Sequence, residues 1–196
     1  MNKIDVWKRT ATGKIFFLFS PQRSAIAIDD IVQSLARICR YGGGVRWPLH
    51  YSVAEHSVIL ARYVLDRYPD RPMLAMQALM HDAAEAHIGD MIRPLKDTMP
   101  EFITIDNQIT SVIFKHFNIP WPLDPIIKEI DTRILMDEEA QVLVPCDINF
   151  DYLDVNPLDV RLYAWEREEA YRQFFVIWSE LWAQIGASSR FRRAVV

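Results

Sequence analysis

With 196 residues, 51% of them hydrophobic, the chain can bury one sizeable core and is short for two, so a single domain is expected. Its formal net charge of −4 excludes a general attraction for nucleic acid or an anionic membrane. An anionic ligand must then be met by a local cluster of Arg and Lys, which suits a small molecule better than a polymer. Cys39 and Cys146 stand outside any CxxC spacing, and no apolar run approaches the ~20 residues of a membrane span or the length of a signal-peptide core, so a reducing cytoplasmic setting is expected.

The first 25 residues and the tail after about 145 carry no motif; residues 1–27 are expected to pack as an extension on the main domain, 28–196, with strand alternation confined to the first 20. From Ile28 the apolar positions Ile31, Val32, Leu35, Ile38 and Cys39 recur at helical spacing behind Asp29 and Asp30, predicting a helix over 28–41 that ends at Gly42-Gly43-Gly44. A second helix opens at Ser52, three residues before Glu55, the spacing of a capping box, and breaks between Pro69 and Pro72. Residues 72–87 start with proline, are rich in helix formers and stop near Gly89. Residues 93–100 read as loop, and further helices are predicted over 101–117, 124–143 and 157–186. With no internal repeat or low-complexity linker, the expectation is an all-α, single compact helical bundle.

The stretch "LMHDAAEAHIGD", residues 79–90, gathers polar groups in apolar company. On a helix, residue 85 lies about 40° around the axis from residue 81 and about 60° from residue 82, so His81, Asp82 and Glu85 share a face. Leu79, Met80, Ala83, Ala84 and Ala86 predict partial burial of that face, and buried charges are normally paired or bound to a metal. Partners exist: His56 sits within an apolar helix, and Asp131 is flanked by Ile127, Ile130, Ile134 and Leu135. A shell of His56, His81, Asp82 and Asp131 suits a divalent ion such as zinc, cobalt, manganese, magnesium or iron, with positions left for water.

The order His56, His81-Asp82, Asp131, with the strings "VAEHS", "HDAAEAHIGD" and "PLK", resembles the HD-domain superfamily of metal-dependent phosphohydrolases. Within it, the similarity is to bacterial 5'-deoxynucleotidases and phage deoxyadenosine triphosphate triphosphohydrolases, over roughly residues 28–140. The resemblance implies an all-helical HD domain, a resident divalent ion, and hydrolysis at phosphorus of a nucleotide, with loss of phosphate from a deoxynucleoside monophosphate and loss of triphosphate from a deoxynucleoside triphosphate both open. Glu85 matches the family's acidic residue after HD and is the expected proton acceptor or donor, with Asp82 next. For the phosphate, Arg40 fits the family spacing to His56, while Arg46 lies in a matching "RWPL" string, with Trp47 or Tyr41 available to pack on sugar or base. Asp90 matches an Asp that contacts the sugar hydroxyl, and Lys96 a lysine that meets phosphate.

His50, His87 and His116 fit no ligand spacing. Because the relatives are oligomeric and the C-terminal helix holds Trp165, Phe174, Phe175, Trp178 and Trp182, a homo-oligomer is expected. Two other readings compete with an enzyme of this branch. One is a non-catalytic metal- and nucleotide-binding sensor, which would have less need of Glu85. The other is a hydrolase of a signalling nucleotide, whose extra signature motifs the sequence lacks.

Overall fold

A computed structural model describes residues 6–147 and 154–194, which are mostly helical. At the amino end β1 (Trp7–Arg9) and β2 (Ile15–Phe17) pair antiparallel, with Trp7 opposite Phe17. The hairpin is tied to the helices: Phe16 is fully buried, Lys8 Nζ donates to the carbonyl of Ala86 at 2.9 Å, and Thr12 donates through both its backbone N–H and its hydroxyl to Asp30.

The helices follow as α1 (Ile28–Leu35), α2 (Val53–Arg67), α3 (Pro72–Met80), α4 (Glu85–Ile88), α5 (Arg93–Lys96), α6 (Pro100–His116), α7 (Pro125–Val142) and α8 (Arg167–Ala194). Every residue of α2 from Val53 to Ala61 is buried, and α1, α3, α7 and α8 pack against it, which makes it the central element. Ser52 caps α2 as the spacing requires, its hydroxyl accepting from the Glu55 N–H at 3.1 Å. The other half of the capping box is absent, because the Glu55 carboxylate turns away from the helix end. It accepts instead from the backbone N–H groups of Tyr163, Ala164 and Trp165 at 2.6–2.9 Å.

Three predicted elements end differently. The first helix stops at Leu35 rather than 41, since Cys39 must pair with Ser52 and the chain doubles back through a 3₁₀ turn at Arg40–Gly43 with Tyr41 in the left-handed region, φ 59°. The helix expected over 72–87 breaks into α3 and α4, with residues 81–84 as turns between them, and the loop 93–100 contains the single turn α5.

The helix expected from residue 157 begins only at Arg167. Residues 154–166 form a strap in which Asp137 takes the N–H groups of Leu158 and Val160 and Glu55 those of residues 163–165, removing five donors that a helical ladder would need. In α8 the aromatic residues divide: Phe174 and Trp178 are in the core, while Trp182 is 46% exposed. Among the described residues, no helix is long and apolar enough to cross a membrane.

Candidate metal centre

Three helices deliver one cluster of donor atoms: α2 supplies His56, the end of α3 supplies His81 and Asp82, and α7 supplies Asp131. His56 Nε2 lies 3.4 Å from His81 Nε2, 3.2 Å from Asp131 Oδ1 and 3.8 Å from Asp82 Oδ2. His81 Nε2 lies 3.1 Å from Asp82 Oδ2 and 3.7 Å from Asp131 Oδ1. Two ligands each about 2.1 Å from an ion stand roughly 3.0 Å apart at a right angle and roughly 4.2 Å apart when opposite, so all five separations suit donors on a single ion. His56, His81 and Asp82 form a group able to hold a metal, and Asp131 Oδ1 lies 3.2 Å and 3.7 Å from the two imidazoles.

The protonation of the rings supports the same conclusion. His81 Nδ1 lies 2.8 Å from the Ala78 carbonyl, which can only accept, and His56 Nδ1 lies 2.7 Å from Glu138 Oε1. Both Nδ1 atoms therefore carry hydrogen, and both Nε2 lone pairs point into the cluster beside two carboxylates. Such a cluster favours a positive charge at its centre, since buried charges are paired or coordinate metals. Without a metal a proton serves: burial opposes the charged imidazolium, but Asp82 and Asp131 outweigh it and hold His81 well above its ordinary 6.5. A divalent ion would displace that proton.

The cluster opens on a cleft of about 630 Å³, within the range of small-molecule sites. Its lining includes Arg40, Tyr41, Asp82, Glu85 and Asp90, the apolar Ile92, Ile103 and Leu135, and the cations Arg93, Lys96 and Lys128. Glu85, the first residue of α4, is buried, and its Oε2 has no hydrogen-bond partner. Burial first, then the charges of Asp82 and Asp90, push its carboxyl well above the ordinary carboxylate range. Asp90 follows Gly89, whose φ of 83° turns the chain out of α4 and into the cleft, and burial raises its carboxyl also. Lys96 is held at 2.5 Å by Asp106 from α6.

The two arginine candidates separate. Arg40 is buried at the cleft, 3.2 Å from Glu138 Oε2 and 3.7 Å from Asp82 Oδ2. Arg46 donates to the carbonyls of Leu143 at 2.6 Å and Ala140 at 3.0 Å, satisfying the carboxyl-terminal end of α7, and Trp47 is 95% exposed. Neither Arg46 nor Trp47 lines the cleft, so the "RWPL" string contributes no cleft wall, whereas the residue chosen by spacing does.

Sequence reasoning missed Arg93, whose guanidinium lies 3.3 Å from Asp131 Oδ2, and it missed Glu138. Glu138 is fully buried, and its carboxyl falls to about 2 because Arg40 and His56 outweigh the burial that opposes its charge. A signal existed: Glu138 stands seven residues after Asp131, two turns along the same face of α7.

No family model matches the chain. Over 134 residues, 68% of its length, it is 33% identical to the uncharacterized protein YfdR of Escherichia coli (strain K12), of which the match covers 71%. Over 144 residues, 69% of its length, it is 34% identical to the uncharacterized protein RCAP_rcc00048 of Rhodobacter capsulatus, of which the match covers 72%.

Proposed function

The chain belongs to the family of YfdR and RCAP_rcc00048, and we propose from its site that it is an HD-domain, metal-dependent phosphohydrolase acting on nucleotides. The observation that carries the reading is the convergence of two imidazole lone pairs and two carboxylates at a cleft that also holds a buried carboxyl raised well above its ordinary range and several cations. Phosphoryl transfer to water asks for these elements together: a divalent centre, a proton-transfer group and positive charge for the phosphate oxygens.

When bound, the ion would polarise a phosphoryl oxygen and lower the pKa of its water, making hydroxide available near neutral pH. His56 and His81 would hold it through Nε2, and Asp82 and Asp131 through one oxygen each. Glu85, three residues beyond Asp82 and at the cleft, would carry the proton, giving one to the leaving oxygen or taking one from water. Arg40 faces the anion from the side of Asp82, and Arg93, Lys96 and Lys128 offer further charge along the wall. Asp90 is available to a sugar hydroxyl, and Ile92, Ile103 and Leu135 to the flat of a base.

Both release of phosphate from a deoxynucleoside monophosphate and release of triphosphate from a deoxynucleoside triphosphate fit this arrangement. The same reading makes the protein a cytoplasmic homo-oligomer, with the exposed Trp182 on α8 as part of its interface. The test is a panel of mono- and triphosphates assayed for phosphate and triphosphate release with added zinc, cobalt, manganese, magnesium or iron. Release of either product that depends on one of these metals is expected. Stoichiometric metal binding without turnover of any nucleotide, signalling nucleotides included, would replace the enzyme with a sensor.

A further inference from the structure

Glu138 does not line the cleft, yet both of its oxygens lead there. Oε1 accepts from His56 Nδ1 at 2.7 Å and from the Tyr51 hydroxyl at 2.9 Å. Oε2 accepts from Arg40 at 3.2 Å and from the Tyr41 hydroxyl. A carboxylate has about four lone-pair sites, so these four donors saturate it. The donors come from the turn at residues 40 and 41, the residue before the Ser52 cap, and α2, while the acceptor comes from α7. The backbone joins the same parts, since the Arg40 N–H donates to the Tyr51 carbonyl at 2.9 Å.

We propose that Glu138 is a positioning residue that couples metal binding to anion binding, fixing His56 with one oxygen and Arg40 with the other. The proposal rests on the reading of His56 as a metal ligand and Arg40 as the cation for phosphate.

The geometry makes each arm depend on the other. On the first arm, Glu138 fixes the His56 tautomer and ring plane so that Nε2 meets Asp131 and His81. On the second, it anchors the Arg40 guanidinium from behind, so that Arg40 does not rely on Asp82, 3.7 Å away, whose oxygen belongs to the ion cluster. Tyr41 is held beside Arg40 at φ 59°, a conformation unfavourable for a residue with a Cβ, and its hydroxyl bond to Glu138 keeps it there. Because both arms share one rigid carboxylate, ordering either end orders the other, and such a coupling is reciprocal by thermodynamic necessity.

The experiment titrates the metal-free full-length protein with Co(II), read by its visible absorption bands, with and without saturating inorganic phosphate. In the wild type, phosphate is expected to tighten Co(II) binding. Glu138→Gln keeps the shape but loses the charge, and should weaken Co(II) about 10- to 100-fold, the usual worth of such a supporting group, while abolishing the phosphate effect. Tyr51→Phe, a fully buried change that touches neither ion nor cleft, should weaken Co(II) a few-fold and shrink the phosphate effect, and it decides the matter alone if Glu138→Gln does not fold by circular dichroism. Wild-type Co(II) affinity and an unchanged phosphate effect in the folded variants would overturn the coupling while leaving the metal site standing. Failure of the wild type itself to bind Co(II) would overturn the metal reading and the coupling with it.

Discussion

His87 gives a quantitative test of how the amino-terminal hairpin and α4 share a core. Its ring is 5% exposed and stacks on Phe16 with centroids 3.7 Å apart and planes 3° apart, and neither ring nitrogen has a hydrogen-bond partner. Burial, and secondarily the Lys8 ammonium, lower its pKa from 6.5 to about 4 against the opposing pull of Asp30. Below pH 6.5 the unfolded chain takes up this proton and the folded chain does not, so stability falls with pH from 6.5 and the loss is complete only below about 4. At 1.36 kcal/mol per pKa unit the full loss is about 3 kcal/mol, of which about 2 kcal/mol has occurred at pH 5. His87→Phe keeps the stacked ring and removes the titration. Urea unfolding of both proteins, with a chelator present, should show stabilities within about 1 kcal/mol at pH 8, where two unsatisfied nitrogens are all that is lost. At pH 5 the difference should move by about 2 kcal/mol in favour of the variant. An equal difference at both pH values would refute the argument that this imidazole is buried in its neutral form.

Three further outcomes are expected. His81→Ala should lose both bound metal, measured by atomic absorption on the purified protein, and activity; stoichiometric metal in the variant would remove His81 from the shell. Glu85→Gln should keep metal and substrate affinity while turnover falls roughly 10²- to 10⁴-fold, the range for a lost general acid–base, and steady-state kinetics with saturating metal would expose a bystander by near-wild-type turnover. Glu55→Ala, which strands three backbone donors of the strap, should cost about 3 kcal/mol in urea unfolding and open the chain near residue 163 to limited proteolysis, whereas an unchanged midpoint would mean that water satisfies those groups equally well.

The candidate cluster was legible in the sequence because its signal is local: a polar residue in an apolar helical context needs a partner, and His56, His81, Asp82 and Asp131 all stand in such contexts and meet in space. The angular argument for Glu85 assumed one unbroken helix over 72–87; the chain breaks after Met80, yet the turns at 81–84 still leave Glu85 in the cleft. What escaped the sequence is tertiary. Arg46 stands out in the "RWPL" string, but its guanidinium is committed to carbonyls at the end of α7, partners 94 and 97 residues away. Glu138 looks like one more charge on a helix until Tyr41, Tyr51, Arg40 and His56 surround it. Residues 157–166 carry a helix-like apolar spacing, and carboxylates more than 20 residues distant outcompeted it.

The strap also bears on how open this segment is to pairing with a second chain. An extended segment ordinarily exposes a regular row of free donors and acceptors on which a foreign strand can grow, and the only sheet among the described residues, the short β1–β2 hairpin, could not cover one. Here the acceptors are discrete side chains: Asp137 takes the N–H groups of residues 158 and 160, Gln141 that of 162, and Glu55 those of 163–165, while Arg133 donates to the carbonyls of 156 and 157. Carboxylates at fixed addresses on α2 and α7 cannot be satisfied by a segment slid along by two residues, as a β ladder can. The register is therefore locked residue by residue, and the segment is left with little of the repeating edge that would recruit a second chain.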